Sequence, residues 1–119
     1  MSAKTIFVAL RDGYVIRQAQ KAKLPPFGNG EPCRWRVTFS GRVQRVGFRL
    51  EVCELAKRLS LTGYCRNLEN GDVLAELQGP QENIQFLISF MESLKRIRIR
   101  EKIIEELELI PTETEFMQK

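Results

Sequence analysis

The chain has 119 residues, 43% hydrophobic and 29% charged, with a net charge of +4 and no histidine. That length suits one compact domain, and no apolar run approaches the roughly 20 residues that span a bilayer. The missing histidine excludes Ser-His-Asp and Cys-His arrangements and any imidazole general base.

The first 32 residues read as an extension. TIFVAL and YVIRQA flank Arg11-Asp12-Gly13, and two apolar runs around a D-G turn predict a hairpin or a weakly structured segment. Arg11 and Asp12 also interrupt the opening apolar run, which lacks a signal-peptide core, so the expected location is the cytoplasm. LPPFGNGEP at 24–32, with three prolines and two glycines, reads as a linker. The expected division is therefore residues 1–32 as extension and 33–119 as domain. Charge follows it: residues 1–33 hold five cations against two acids, and the remainder fourteen against thirteen. A general nucleic-acid binder spreads its basic charge more widely.

Within the domain, Trp35, Val37 and Phe39 alternate with Arg34, Arg36 and Thr38, a strand with one buried and one solvated face. Phe48, Val52, Leu55, Ala56 and Leu59 then follow at helical spacing. LTGYCRNL and GDVLAELQG are strands joined through Asn70-Gly71, a hairpin signal. Pro80 starts a second helix with Ile84, Leu87, Ile88, Met91 and Leu94 as its apolar stripe. IREKIIEELELI is ambiguous by periodicity and is assigned as the last strand because the sheet needs a partner there; TEFMQK is a candidate edge strand. Its glutamates read as a solvated face, since adjacent strand residues point to opposite sides. The fold class is α+β: a ferredoxin-like βαββαβ sandwich, four antiparallel strands with two helices on one face. Cys33, Cys53 and Cys65, odd in number and without metal-type spacing, read as free cytosolic thiols.

The chemistry concentrates in GRVQRVGFR at 41–49, which has three arginines, two glycines and no acid. It lies where the first strand hands over to the first helix, so unpaired N–H groups and the positive end of the helix dipole meet there. Gly41 and Gly47 allow the loop to curl around an anion, and Arg49 in the first helical turn can grip phosphate oxygens in a bidentate way. On spacing alone, a glycine turn with solvated arginines explains the stretch equally well.

Gly41-Arg42-Val43-Gln44 and Val46-Gly47-Phe48-Arg49 resemble the signature loop of the acylphosphatase family, G-x-V-Q-G-V-x-F-R. Gly63-Tyr64-Cys65-Arg66-Asn67, followed by Asn70-Gly71-Asp72-Val73, is similar to the family's second block. The resemblance runs from about Cys33 onward and implies hydrolysis of the carboxyl-phosphate anhydride of acyl phosphates, without metal or cofactor. It implies that Arg49 and Asn67 are catalytic, Arg49 binding the phosphoryl group and Asn67 orienting the attacking water. Gln44, Arg45, Val46, Gly47 and Phe48 would form the phosphate-binding loop. The implied partners are an acyl phosphate and inorganic phosphate, with no nucleic acid and no membrane, and the implied state is a monomer.

Three departures qualify the resemblance: Arg45 replaces the family's usual glycine, Tyr64 its commoner tryptophan, and Leu68 a frequent threonine. If position 45 needs a positive φ, arginine costs roughly 1–2 kcal/mol there. The alternative reading is therefore a catalytically weak acylphosphatase-like module that binds anions or regulates. Single-stranded RNA binding on the open sheet face is disfavoured, because Trp35 and Phe39 fall on the face expected to be buried.

Overall fold

The computed structural model describes residues 3–24 and 30–119, with side chains from Ala9 onward. Its elements are α1 (Ala3–Lys21), β1 (Pro32–Arg42), α2 (Phe48–Arg58), β2 (Thr62–Asn67), β3 (Val73–Pro80), α3 (Gln81–Ser93), β4 (Arg98–Leu107) and β5 (Phe116–Gln118). From β1 to β4 this is the ferredoxin-like βαββαβ arrangement. The sheet has five strands, the expected four and β5 at the candidate edge strand of TEFMQK, in the order β4-β1-β3-β2-β5. β1 to β4 pair antiparallel, whereas β5 lies parallel to β2 with Gly63 opposite Phe116.

The alternation and the helical stripes meet as the spacing requires. Val37 and Phe39 of β1, Cys65 of β2 and Val73, Ala75 and Leu77 of β3 form the covered face of the sheet. Val52, Leu55 and Ala56 of α2 and Ile84, Leu87, Ile88 and Met91 of α3 pack into the same core. Burial of the Val, Leu, Ile, Phe and Met side chains among them contributes roughly 1.5–3 kcal/mol each. Phe116 of β5 closes the β2 end.

Residues 3–21 form a helix where a hairpin or a weakly structured segment was expected around Arg11-Asp12-Gly13. The D-G signal is local, while the decisive gain is tertiary. Val15 and Ala19, one turn apart, are fully buried, and a lone two-stranded hairpin offers no comparable burial. The Arg58 guanidinium donates to the carbonyls of Ala19 and Ala22, where a cation complements the negative end of the helix dipole. Most of the expected linker, residues 25–29, lies outside the described residues.

The other sheet face also departs from expectation. Arg34, expected to be solvated, is 1% exposed. Its Nε donates to Glu76 at 3.0 Å, Nη1 to Glu113 at 2.7 Å and to Gln78 at 3.1 Å, and Nη2 to Glu113 at 3.2 Å. Glu76 sits on the middle strand, opposite Arg36 on one side and Tyr64 on the other. It accepts from Arg36 at 3.2 Å and from the Tyr64 hydroxyl at 2.7 Å. Burial alone pushes this carboxyl up; the hydrogen bonds from Tyr64, Arg34 and Arg36 together outweigh it and hold Glu76 below the usual carboxylate range. The face is an ion-pair network.

Candidate active site

The loop after β1 is pinned at both ends. Val43 and Phe48 are buried, and the Phe48 ring lies 5.0 Å from that of Phe39 on β1. Between them the chain turns through two left-handed residues, Arg45 at φ 63° and Gly47 at φ 78°. Gln44 Nε2 donates to the carbonyls of Leu68 and Asp72, each at 2.8 Å, and so ties the loop to the β2–β3 turn. Gly41 does not shape the loop as expected. It sits at the bulge between Ser40 and Gly41, where an added Cβ would lie 2.1 Å from the Arg98 carbonyl of β4. Glycine is therefore required there for strand pairing.

The peptide units at the helix start are held from behind. The Val46 carbonyl accepts from Arg96 Nε at 2.8 Å, and the Gly47 carbonyl from the Glu51 N–H at 3.0 Å. In a planar trans peptide the carbonyl and the next N–H point in opposite directions, so the Gly47 N–H is turned away from Arg96 and the Phe48 N–H away from the body of α2. Neither N–H has an acceptor among the described residues. Arg96 is itself anchored. Its Nη2 pairs with the fully buried Glu51 at 2.7 Å, its Nη1 bonds Gln18 of α1, and its guanidinium lies 5.9 Å over the Tyr14 ring. Burial raises the Glu51 carboxyl, and Arg96 opposes that rise.

Gly47 and Phe48 line a pocket of about 280 Å³ together with Arg45, Arg49 and Asn67, and with Arg11, Asp12, Val43, Leu50 and Gln118. Five sequence-predicted residues thus converge on one cavity. Gln44 and Val46 stand behind it as ties. Arg49 Nη1 donates to the Lys119 carbonyl at 2.7 Å, leaving four of its five N–H groups without a protein partner among the described residues. Asn67, exposed at the end of β2, makes no side-chain hydrogen bond among the described residues. Arg45 is exposed. Among the described residues the pocket's lining therefore brings three guanidinium groups, two residues with unpaired backbone N–H groups and the amides of Asn67 and Gln118 together with one acid, Asp12. This is an environment for an anion.

Arg11, Asp12 and Arg96 escaped the sequence reading. Arg11 and Asp12 were absorbed into a presumed turn, and the helical spacing of Arg11, Val15 and Gln18 was the signal that could have placed them. No group of three His, Cys, Asp or Glu among the described residues is positioned to hold a metal ion. Cys53 and Cys65 are buried, and burial pushes both thiols up, Cys65 most, so neither has the character of a reactive thiolate.

The left-handed Arg45 carries a measurable cost. Arg45→Gly is expected to raise unfolding stability by about 0.5–1 kcal/mol: relief of a roughly 1–2 kcal/mol steric penalty, less the extra backbone entropy that glycine loses. A higher denaturant midpoint at unchanged slope checks it.

Residues 35–117 match the acylphosphatase family, which is more than half of the chain. The chain therefore belongs to the acylphosphatase family. It is 44% identical over 63 residues to an acylphosphatase of Clostridium beijerinckii, covering 53% of this chain and 67% of that one. To an acylphosphatase of Picrophilus torridus it is 39% identical over 59 residues, covering 50% and 73%. Its fold is similar to the solved structure of an acylphosphatase from Coxiella burnetii, with a TM-score of 0.67, 29% identity and coverage of 74% of this chain and 93% of the other. The crystal structure of acylphosphatase from Bacillus subtilis superposes with a TM-score of 0.68 at 24% identity, over 73% and 98% of the chains, a likeness of fold. No helix among the described residues is long and apolar enough to cross a membrane.

Proposed function

We propose that this chain is an acylphosphatase that splits acyl phosphates into carboxylate and inorganic phosphate, with Arg49 and Asn67 as its catalytic residues. The observation that carries the reading is the convergence of Arg49, Asn67 and the Gly47–Phe48 end of the loop on one small pocket. Arg49 and the loop N–H groups bind the phosphoryl oxygens and stabilise the charge that builds on them. Asn67 orients a water, its amide supplying both an acceptor and a donor. The water oxygen attacks phosphorus, and the bond from phosphorus to the acyl oxygen breaks. The bonding pair leaves with the carboxylate. The water's proton passes to a phosphoryl oxygen of the substrate. A carboxylate is a stable anion at neutral pH, so no general acid is needed and the absence of histidine costs nothing.

The test is hydrolysis of benzoyl phosphate by purified protein beside Asn67→Ala. Turnover by the parent and a loss of about a hundredfold or more in kcat, with inorganic phosphate still bound, is the expected result, in the range for removal of a group that positions a reactant. A folded parent that binds phosphate and gives no turnover above background would leave an anion-binding module in place of an enzyme.

A further inference from the structure

Helix α1 lies outside the stretch that matches the family, yet it turns one face toward the phosphate pocket. Arg11, Val15 and Gln18 are spaced i, i+4 and i+7, so they share one side of the helix. Each touches the loop or its support. Val15, with no exposed surface, lies over Gly47, where an added Cβ would come within 2.7 Å of Val15 Cγ2. Gln18 bonds Arg96, the residue that holds the Val46 carbonyl. Arg11 Nη1 donates to the Arg45 carbonyl at 3.3 Å, and Arg11 lines the pocket beside Arg49 and Asn67.

The Arg11 guanidinium is anchored by contacts within the protein. Its Nε and Nη2 donate to Asp12 Oδ1 at 3.1 and 2.9 Å, and its Nη1 to Arg45. Those bonds use three of the five N–H groups of an arginine and leave two unclaimed among the described residues. The side chain is 29% exposed, so part of its charge is withdrawn from water. A guanidinium anchored on two sides, with donors left over at a pocket rich in cations, suits a tetrahedral oxyanion.

We infer that α1 completes the anion site, with Arg11 as a further phosphate-binding residue supplied from outside the family's own motif. The inference rests on the proposed phosphate pocket but not on turnover. Val15 and the Gln18–Arg96 bond seat the helix, and Arg11, paired with Asp12, delivers its two remaining N–H donors. Arg45, carrying the strained loop position, gains a carbonyl partner from the same contact.

The test uses the full chain with inorganic phosphate as the probe, its Kd read from the amide shifts of Gly47 and Phe48. Arg11→Ala is expected to weaken phosphate about tenfold, the scale of one charge-assisted hydrogen bond at a partly exposed site. Arg11→Lys, which keeps the charge but not the fork, recovers part of the loss. Val15→Asp unseats α1 and weakens phosphate to a similar extent, and adding Arg11→Ala to it changes little more. Unchanged affinity in Arg11→Ala, or losses that add in the double variant, would overturn the inference. A parent that binds phosphate in this Arg11-dependent way but does not hydrolyse acyl phosphates removes the enzyme reading and leaves α1's role intact.

Discussion

Arg49→Gln is expected to reduce kcat/KM for benzoyl phosphate by about a hundred- to a thousandfold, the scale of deleting one preorganised donor to a developing oxyanion. Glutamine keeps a polar side chain of moderate length but loses both the charge and the paired N–H fork. Arg49 stands in the first turn of α2, beside the Gly47 and Phe48 N–H groups, which are unpaired among the described residues, and there its guanidinium makes one hydrogen bond, at Lys119. Losing that exposed bond should change unfolding stability by no more than about 0.5 kcal/mol. The measurement pairs steady-state hydrolysis with chemical denaturation of parent and variant. A fall in rate with preserved stability assigns the loss to phosphoryl binding. Full activity in a folded Arg49→Gln protein would remove Arg49 from the mechanism.

The largest expected stability effect lies away from the pocket. Glu76→Gln is expected to cost about 3 kcal/mol at neutral pH, the lower end for breaking a buried ion pair. The variant leaves Arg34, which is 1% exposed, with its Glu113 contacts alone among the described residues to balance the charge. The sign of the pH dependence follows from the direction of the shift. Glu76 is depressed in the folded protein, so between its folded and unfolded pKa values the unfolded chain binds more protons. Its contribution is complete above the unfolded value, near 4.3, and is lost as the pH falls through the folded value. The penalty of Glu76→Gln should therefore be largest at neutral pH and shrink in acid. Urea unfolding of parent and variant across that range checks it, and a penalty independent of pH would show that the network is not held by the ionised carboxylate.

Much of the architecture was legible because it is written in short-range periodicity. The alternation around Val37 and Phe39, the stripe from Phe48 to Leu59 and the Asn70-Gly71 turn each specify an element from neighbours within a few residues. The β4 assignment came from a global requirement, a sheet lacking its last partner, because the local pattern there was ambiguous. The signature loop was legible for another reason: it resembles the acylphosphatase motif, whereas its spacing alone is explained equally well by a solvated glycine turn. What failed was wherever local and tertiary preferences diverge. Asp12-Gly13 is a turn by local chemistry and the middle of a helix by burial of Val15 and Ala19. Gly41 looked like a loop glycine and serves the β1–β4 bulge.

The sequence by itself therefore carried the βαββαβ order and the core stripes, which depend on spacing along the chain, and, through its resemblance to the family's two motifs, the family and five of the residues that line the candidate pocket. Only the tertiary structure decided that Arg34 is buried on Glu76 and Glu113, that Arg96 holds the loop from behind, and that α1 lies against the pocket with Arg11 at its rim. The physical reason is separation: these partners lie 34 to 79 residues apart, and which charges meet across such gaps is set by packing.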